Sequence, residues 1–393
     1  MNRSKAIDIL RAMAIFLVLG RHMASCPVSV SPLLFHLTTT WTRGGWVGVD
    51  LFFVLSGFLV SGLLFREQEK FGTISAKNFL VRRGLKIYPP FWLLVAATLA
   101  HAAWAGGVAQ LRSLDRREVA AELLFFQNYH AGLWTHTWSL AVEEHFYLFL
   151  LLLLMGLSAL SAHRAPPGMF KLVPAAFATL AALCLSLRLL TAHLSPLQHD
   201  PHLYPTHLRM DSLFAGVLIS YLYHFHHDAL LAWATRHRKI LAASGVILFA
   251  PAFIFPLEVT PFIYTFGLTL FYLGGSCLLA AALATPISPR SRLLSALAYI
   301  GSHSYSIYLW HVPFAIWVIP ALSGREVASQ RWFLFFAEYL LGTILIGIVL
   351  SILTEYPVLR LRDRLFPSRA RPLTVGAQTP AQGAKEQGDL TRK

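Results

Sequence analysis

The sequence predicts an all-α, polytopic membrane bundle of about ten transmembrane helices, with both termini in the cytoplasm. Three observations carry that expectation. Hydrophobic residues make up 56% of the 393-residue chain and charged residues only 13%, about half the ~25% of an ordinary soluble domain. The charges are clustered, and between the clusters run apolar stretches of about 20 residues, the length that crosses ~30 Å of hydrocarbon. Lys and Arg are also divided unequally between alternate loops.

Hydropathy places the spans at 6–24, 45–65, 89–106, 138–157, 172–192, 209–226, 240–256, 261–285, 299–321 and 332–354. With the N-terminus inside, 23 of the 33 Lys and Arg residues fall in inside segments and 6 in outside loops. That is the bias of the positive-inside rule. The first span is interrupted by Asp8 and Arg11 and is followed by no small-residue cleavage site, so it reads as a retained helix and not a signal peptide. A net charge of +14 would suit nucleic acid, but the basic residues lie in short loops between apolar spans, and no nucleic-acid partner is expected. Residues 1–365 read as the membrane domain. Residues 366–393, polar and rich in Ala, Gly, Pro and Gln, read as a disordered cytoplasmic tail. Cys26, Cys184 and Cys277 are far apart and suggest neither a disulfide framework nor a metal site.

Ionisable groups within spans cost at least ~2.5–3.5 kcal/mol at mid-bilayer, which makes them functional candidates. Arg11 and His22 are eleven residues apart, within ~20° on one helical stripe and ~16 Å apart in height. A snorkelling Arg and a hydrogen-bonded interior His would produce the same pattern. Asp50, in GVDLFF, and His22 flank one outer loop and can meet at similar depth. A carboxylate there would orient the imidazole and raise its basicity; a helix-start anchor is the plainer role. Glu143 and Glu144 lie below the outer end of the fourth span, with Glu143 expected to face inward above Tyr147. Arg209 and Asp211 enter at the edge of the sixth span, where a local ion pair would also account for them. Tyr308 and His311, in SYSIYLWH, are substrate-contact candidates on the ninth span, which an aromatic belt would equally explain. His202 and His207 match no metal-ligand spacing, and no metal is expected. Placed together, His22, Asp50, Glu143 and Asp211 call for a hydrated cavity open to the outside. Arg82, Arg83 and Lys86, with Arg11 above them, make a basic mouth on the inner side that suits phosphates.

Seven blocks in order give the chain a resemblance over residues 3–365 to the membrane-bound acyltransferase 3 family, which includes O-antigen and polysaccharide O-acetylases. They are DILRAMAIFLVLGRHM, GVDLFFVLSGFLVSGLL, FLVRRGLKIYPPFWLL, TWSLAVEEHFYLFL, RMDSLFAGVL, GSHSYSIYLWHVPF and TEYPVLRLRD. The resemblance implies a multi-helix fold in the bacterial cytoplasmic membrane, an acyl-CoA co-substrate (acetyl-CoA first) with no permanently bound cofactor, and a carbohydrate hydroxyl as acceptor. It also implies that Arg11 and His22 are essential. The soluble hydrolase-like domain that some relatives carry is absent from these residues, so direct transfer is expected.

Transfer from a thioester to an alcohol needs a base, donors for the oxyanion and exclusion of water. The expectation is that His22 is the base, oriented by Asp50 or Glu143. The phosphates of the coenzyme would rest on Arg82, Arg83 and Lys86, its arm would pass Arg11, and Arg209, Asp211, Tyr308 and His311 would contact the acceptor. An acyl-His22 or acyl-Ser56 intermediate is a variant of the same scheme. The rival is a transporter or flippase of a lipid-linked sugar or acyl donor without transferase chemistry; the lack of an inverted repeat weighs against it. The acyl group, the particular acceptor and the oligomeric state are not legible.

Overall fold

The computed structural model describes residues 5–161, 164–286, 291–323 and 331–369, and contains no strand among them. The principal helices are α1 (Lys5–Arg21), α2 (Pro32–Gly44), α3 (Gly48–Phe71), α4 (Ala76–Ser113), α5 (Arg116–Leu123), α6 (Trp138–Leu160), α7 (Val173–Leu194), α8 (Met210–Phe225), α9 (His227–Ile254), α10 (Leu268–Leu283), α11 (Arg292–Ser302) and α12 (Ser304–Pro313). They are followed by the helical run α13 (Trp332–Leu365).

Eight helical runs have the length and apolar content to cross a bilayer. They overlap eight of the ten expected spans. The other two, 6–24 and 209–226, are α1 and α8, with 17 and 16 residues. At 1.5 Å per residue these helices reach about 25 Å, short of the hydrocarbon thickness. Most of their side chains are buried against other helices, so they need not match the lipid. The chain is a polytopic helical membrane protein.

Two boundaries differ from expectation for local reasons. The stretch expected to be an outer loop holds α2, whose start is fixed by Ser31, which accepts from the Leu34 amide at 3.3 Å, and by Pro32 in the first turn. Helix α4 begins at Ala76 behind the Ser75 cap and runs unbroken through Pro89 and Pro90, where the sequence suggested a new start. Wider π-helical turns interrupt the late spans at Ile263–Gly267, Phe314–Val318, Glu338–Gly342 and Ser351–Glu355. The last is tied down by Glu355, which accepts from Ser306 at 3.1 Å and Ser351 at 3.0 Å.

The tail does not leave the bundle at residue 366. The Phe366 carbonyl accepts from Arg82, and Arg369 pairs with Glu67 at 3.0 Å while lying over the Phe71 ring. Residues 370–393, the rest of the expected disordered tail, lie outside the described residues.

Helices α3 and α8 cross in direct backbone contact. A Cβ on Gly57 would sit 1.9 Å from the Leu213 carbonyl oxygen, and one on Gly216 would sit 2.0 Å from the Val54 carbonyl oxygen. Only glycine allows these backbones to touch, the device by which membrane helices pack where lipid supplies no hydrophobic drive. Gly57→Val therefore forces the pair apart and is expected to lower the melting temperature and the monodisperse yield in detergent. The same change at Gly156, which has nothing within 4 Å of a new Cβ, is expected to leave both near wild type. Equal behaviour of the two variants would contradict this packing.

Candidate active site

Helices α1, α3, α4, α6, α12 and the end of α13 enclose a cavity of about 450 Å³ at the end of the bundle that carries Lys5. Its cations are Arg11, Arg66, Arg82, Arg83, Lys86, Arg362 and Arg369, and its acids are Asp8, Glu67, Glu143, Glu144 and Asp363. Arg11 pairs with Asp8 one turn earlier on α1, at 3.7 Å. Arg82 is engaged by Asp363 at 3.0 Å. The Arg83 guanidinium lies over the Phe79 and Tyr147 rings, 5.8 and 5.4 Å from their centroids, with no acidic partner within 4.0 Å among the described residues. A guanidinium held between rings keeps its donors for an anion.

The centre of the cavity is a three-residue hydrogen-bonded group. Ser56 donates to Glu143 Oε2 at 3.1 Å and lies 3.0 Å from the Tyr147 hydroxyl, which itself donates to the same carboxylate oxygen. Glu144 turns to the other side and accepts from Tyr88 at 3.0 Å. The one-turn separation of Glu143 and Tyr147 brings them to one face, as helical geometry requires.

His22 is not a lining residue of this cavity. It sits just past the end of α1, exposed at the opposite end of the bundle. Its ring packs edge-on against His311 with centroids 4.8 Å apart, and His311 packs against His136 at 5.0 Å. Both inner imidazoles are anchored to backbone carbonyls, His311 Nδ1 to Tyr308 at 2.5 Å and His136 Nε2 to Leu309 at 3.2 Å. Tyr308 joins the two regions. It lines the cavity, its hydroxyl donates to the His136 carbonyl at 2.5 Å and lies 2.7 Å from Ser139 Oγ, and its ring is 5.5 Å from that of His311. Arg11 and His22 thus share α1 but serve different ends, with the Tyr308–His311 turn between them.

The expected outward-open cavity lined by carboxylates is not what forms. Asp50 is fully buried and bonded to Arg209 at 2.8 Å, with the guanidinium over the rings of Phe53 and Trp138. Asp211, also fully buried, pairs with Arg188 of α7 and not with its neighbour Arg209. Glu143 shares the Lys5-end cavity with the cations. The cause is the ~100° step between successive helical residues, which sends Asp50 toward α8 and away from His22, and parts Arg209 from Asp211. Asp50, Arg209 and Asp211 do not line the cavity. Removing one partner of such a pair typically costs 3–5 kcal/mol, because the other charge stays buried alone. Asp50→Ala is therefore expected to lower unfolding stability by about that amount. Asp50→Leu combined with Arg209→Met is expected to recover most of the loss. A single variant as stable as wild type would contradict a structural role for the pair.

Several partners were not singled out from sequence. Arg188 is a charge in the middle of LSLRLL, and that isolation was its available signal. His136 and Ser139, in THTWSL, adjoin a helix start and carry no spacing motif. Among the described residues no group of three or more His, Cys, Asp or Glu is arranged to hold a metal ion, and all three cysteines are free.

Comparison with known proteins adds the chemistry. A family model described as an acyltransferase domain matches residues 4–352. The chain is 27% identical over 346 residues to a peptidoglycan O-acetyltransferase of Listeria monocytogenes, covering 81% of this chain and 50% of that protein. It is 26% identical over 315 residues to a Bacillus subtilis protein that bears the provisional name of a peptidoglycan O-acetyltransferase, covering 74% of this chain and 47% of that one. The chain spans about half the length of these curated relatives. No solved structure matches it. A match over residues 4–352, nearly the whole membrane bundle, makes the chain a member of this acyltransferase domain family.

Proposed function

We propose that the chain is a membrane O-acetyltransferase that moves an acetyl group from cytoplasmic acetyl-CoA to a hydroxyl of an envelope carbohydrate such as peptidoglycan, in the bacterial cytoplasmic membrane. The observation that supports it is the placement of polar groups in two adjoining zones along the bundle. A cavity rich in Arg and Lys at the Lys5 end is divided by Tyr308 from an imidazole cluster that ends in exposed His22. The distribution of Lys and Arg supports a cytoplasmic Lys5 end. The coenzyme's phosphates would enter there, with Arg83 and Lys86 as anion donors and Arg82 joining once Asp363 is displaced. His22 would meet the acceptor and take its hydroxyl proton. The relatives' names supply the acetyl group and the glycan.

The test is thiol release by purified protein in lipid nanodiscs. Free coenzyme A is expected to accumulate from acetyl-CoA over many turnovers, beyond one equivalent per protein, only when a peptidoglycan fragment is present. A positioned base contributes typically 10²–10⁴ in rate, so His22→Ala is expected to lower kcat by about that factor at unchanged melting temperature. Near wild-type turnover by His22→Ala would remove the imidazole from the mechanism, and thiol release indifferent to the glycan would remove the acceptor.

A further inference from the structure

The geometry points to Ser56 as a covalent nucleophile that takes the acyl group from the thioester before the acceptor does; this rests on the acetyl-CoA reading above. A nucleophile site consists of a hydroxyl within hydrogen-bond reach of a base, with the base oriented by a third group. In the cavity Ser56 donates to Glu143 at 3.1 Å, and Tyr147 donates to the same oxygen of that carboxylate. Ser56 is half-buried and lines the cavity, so a ligand there reaches its Oγ. Arg83, stacked on Tyr147, keeps its N–H donors without an acidic partner among the described residues, and a positive charge there favours an oxyanion formed beside Ser56.

Ser56 is fixed on α3, so the acyl group it holds stays in the donor cavity and the acceptor hydroxyl must come to it there. The cavity that suits the anionic donor lies at one end, and His22 stands beyond Tyr308 and His311 at the other. The volume of this cavity, about 450 Å³, also favours using its space in turn. With the acyl group fixed on Ser56, the coenzyme leaves before the acceptor hydroxyl approaches.

In the first half, Ser56 Oγ attacks the thioester carbonyl carbon and its proton passes to Glu143. The carbon–sulfur bond breaks, and the departing sulfur takes that proton, leaving an ester on Ser56 and a free thiol. In the second half, the acceptor's hydroxyl oxygen displaces Oγ from the acyl carbon. The acceptor gives up one proton and Oγ regains one, so the step balances with no oxidant or further reactant.

The experiment is peptide mass spectrometry of the purified full chain after incubation with acetyl-CoA and no acceptor. The expected result is one acetyl group on Ser56, absent in Ser56→Ala and present as a thioester in Ser56→Cys. Glu143→Gln, which keeps the shape and loses the base, is expected to slow labelling about 10²–10⁴-fold. Melting temperatures of all variants report folding separately. An unlabelled Ser56 in protein that is transferring acetyl to glycan, or Ser56→Ala turning over at the wild-type rate, overturns the inference. The small activated ester 4-nitrophenyl acetate separates the two readings. Labelling by it but not by acetyl-CoA rejects the coenzyme donor and keeps the nucleophile; labelling by neither rejects the nucleophile.

Discussion

Helix α3 is clamped from behind by charge and by backbone contact, and the position of the cavity follows from that clamp. Asp50 and Gly57 are seven residues apart and so lie within about 20° of one face. On that face Asp50 meets Arg209 and Gly57 meets the backbone of α8. Ser56 is one step of about 100° away and therefore faces the cavity. One helix carries both the structural face and the reactive one, and neither can rotate without breaking the other. The second buried pair, Arg188 with Asp211, ties α7 to α8 and backs the same support. Buried ion pairs are often neutral against well-packed apolar residues. Their effect in this bundle is to fix which way α3 faces.

The polar groups then fall into two zones. The Lys5-end zone mixes cations with Glu143 and Glu144, and the His22-end zone is made of imidazoles anchored on backbone carbonyls. Such an anchor sets which ring nitrogen carries the proton and leaves the other as an acceptor. Tyr308 is the shared wall, bonded toward Ser139 and the His136 carbonyl. Separation of this kind suits a reaction whose two substrates come from different compartments and must not exchange water across the membrane.

Much of the fold was legible because apolar length is a strong signal. Helices overlap all ten expected spans, and the two that are too short to cross the hydrocarbon, α1 and α8, bury most of their side chains against other helices. The ion-pair partners were not legible. Sequence gives a residue's height along its helix but not its rotation against a neighbour, so Asp50 could be placed level with His22 and still point at Arg209. For the same reason Glu143 was placed with Tyr147, which is a relation within one helix, but its neighbours Ser56 and Arg83 belong to other helices. The strap from Phe366 to Arg369 was missed because its polar composition resembles a free tail, whereas its contacts with Arg82, Glu67 and Phe71 are specific.

The central claim is that the Lys5-end cavity receives the acyl donor beside Ser56 and behind Tyr308. A cryo-EM structure of the full chain in nanodiscs with a non-transferable acetyl-CoA analogue tests it most directly. The account predicts phosphates within hydrogen-bond distance of Arg83 and Lys86, and the acyl carbonyl in contact with Ser56 Oγ. An analogue lodged beside His22, or bound outside the cavity with its acyl end away from Ser56, would contradict it.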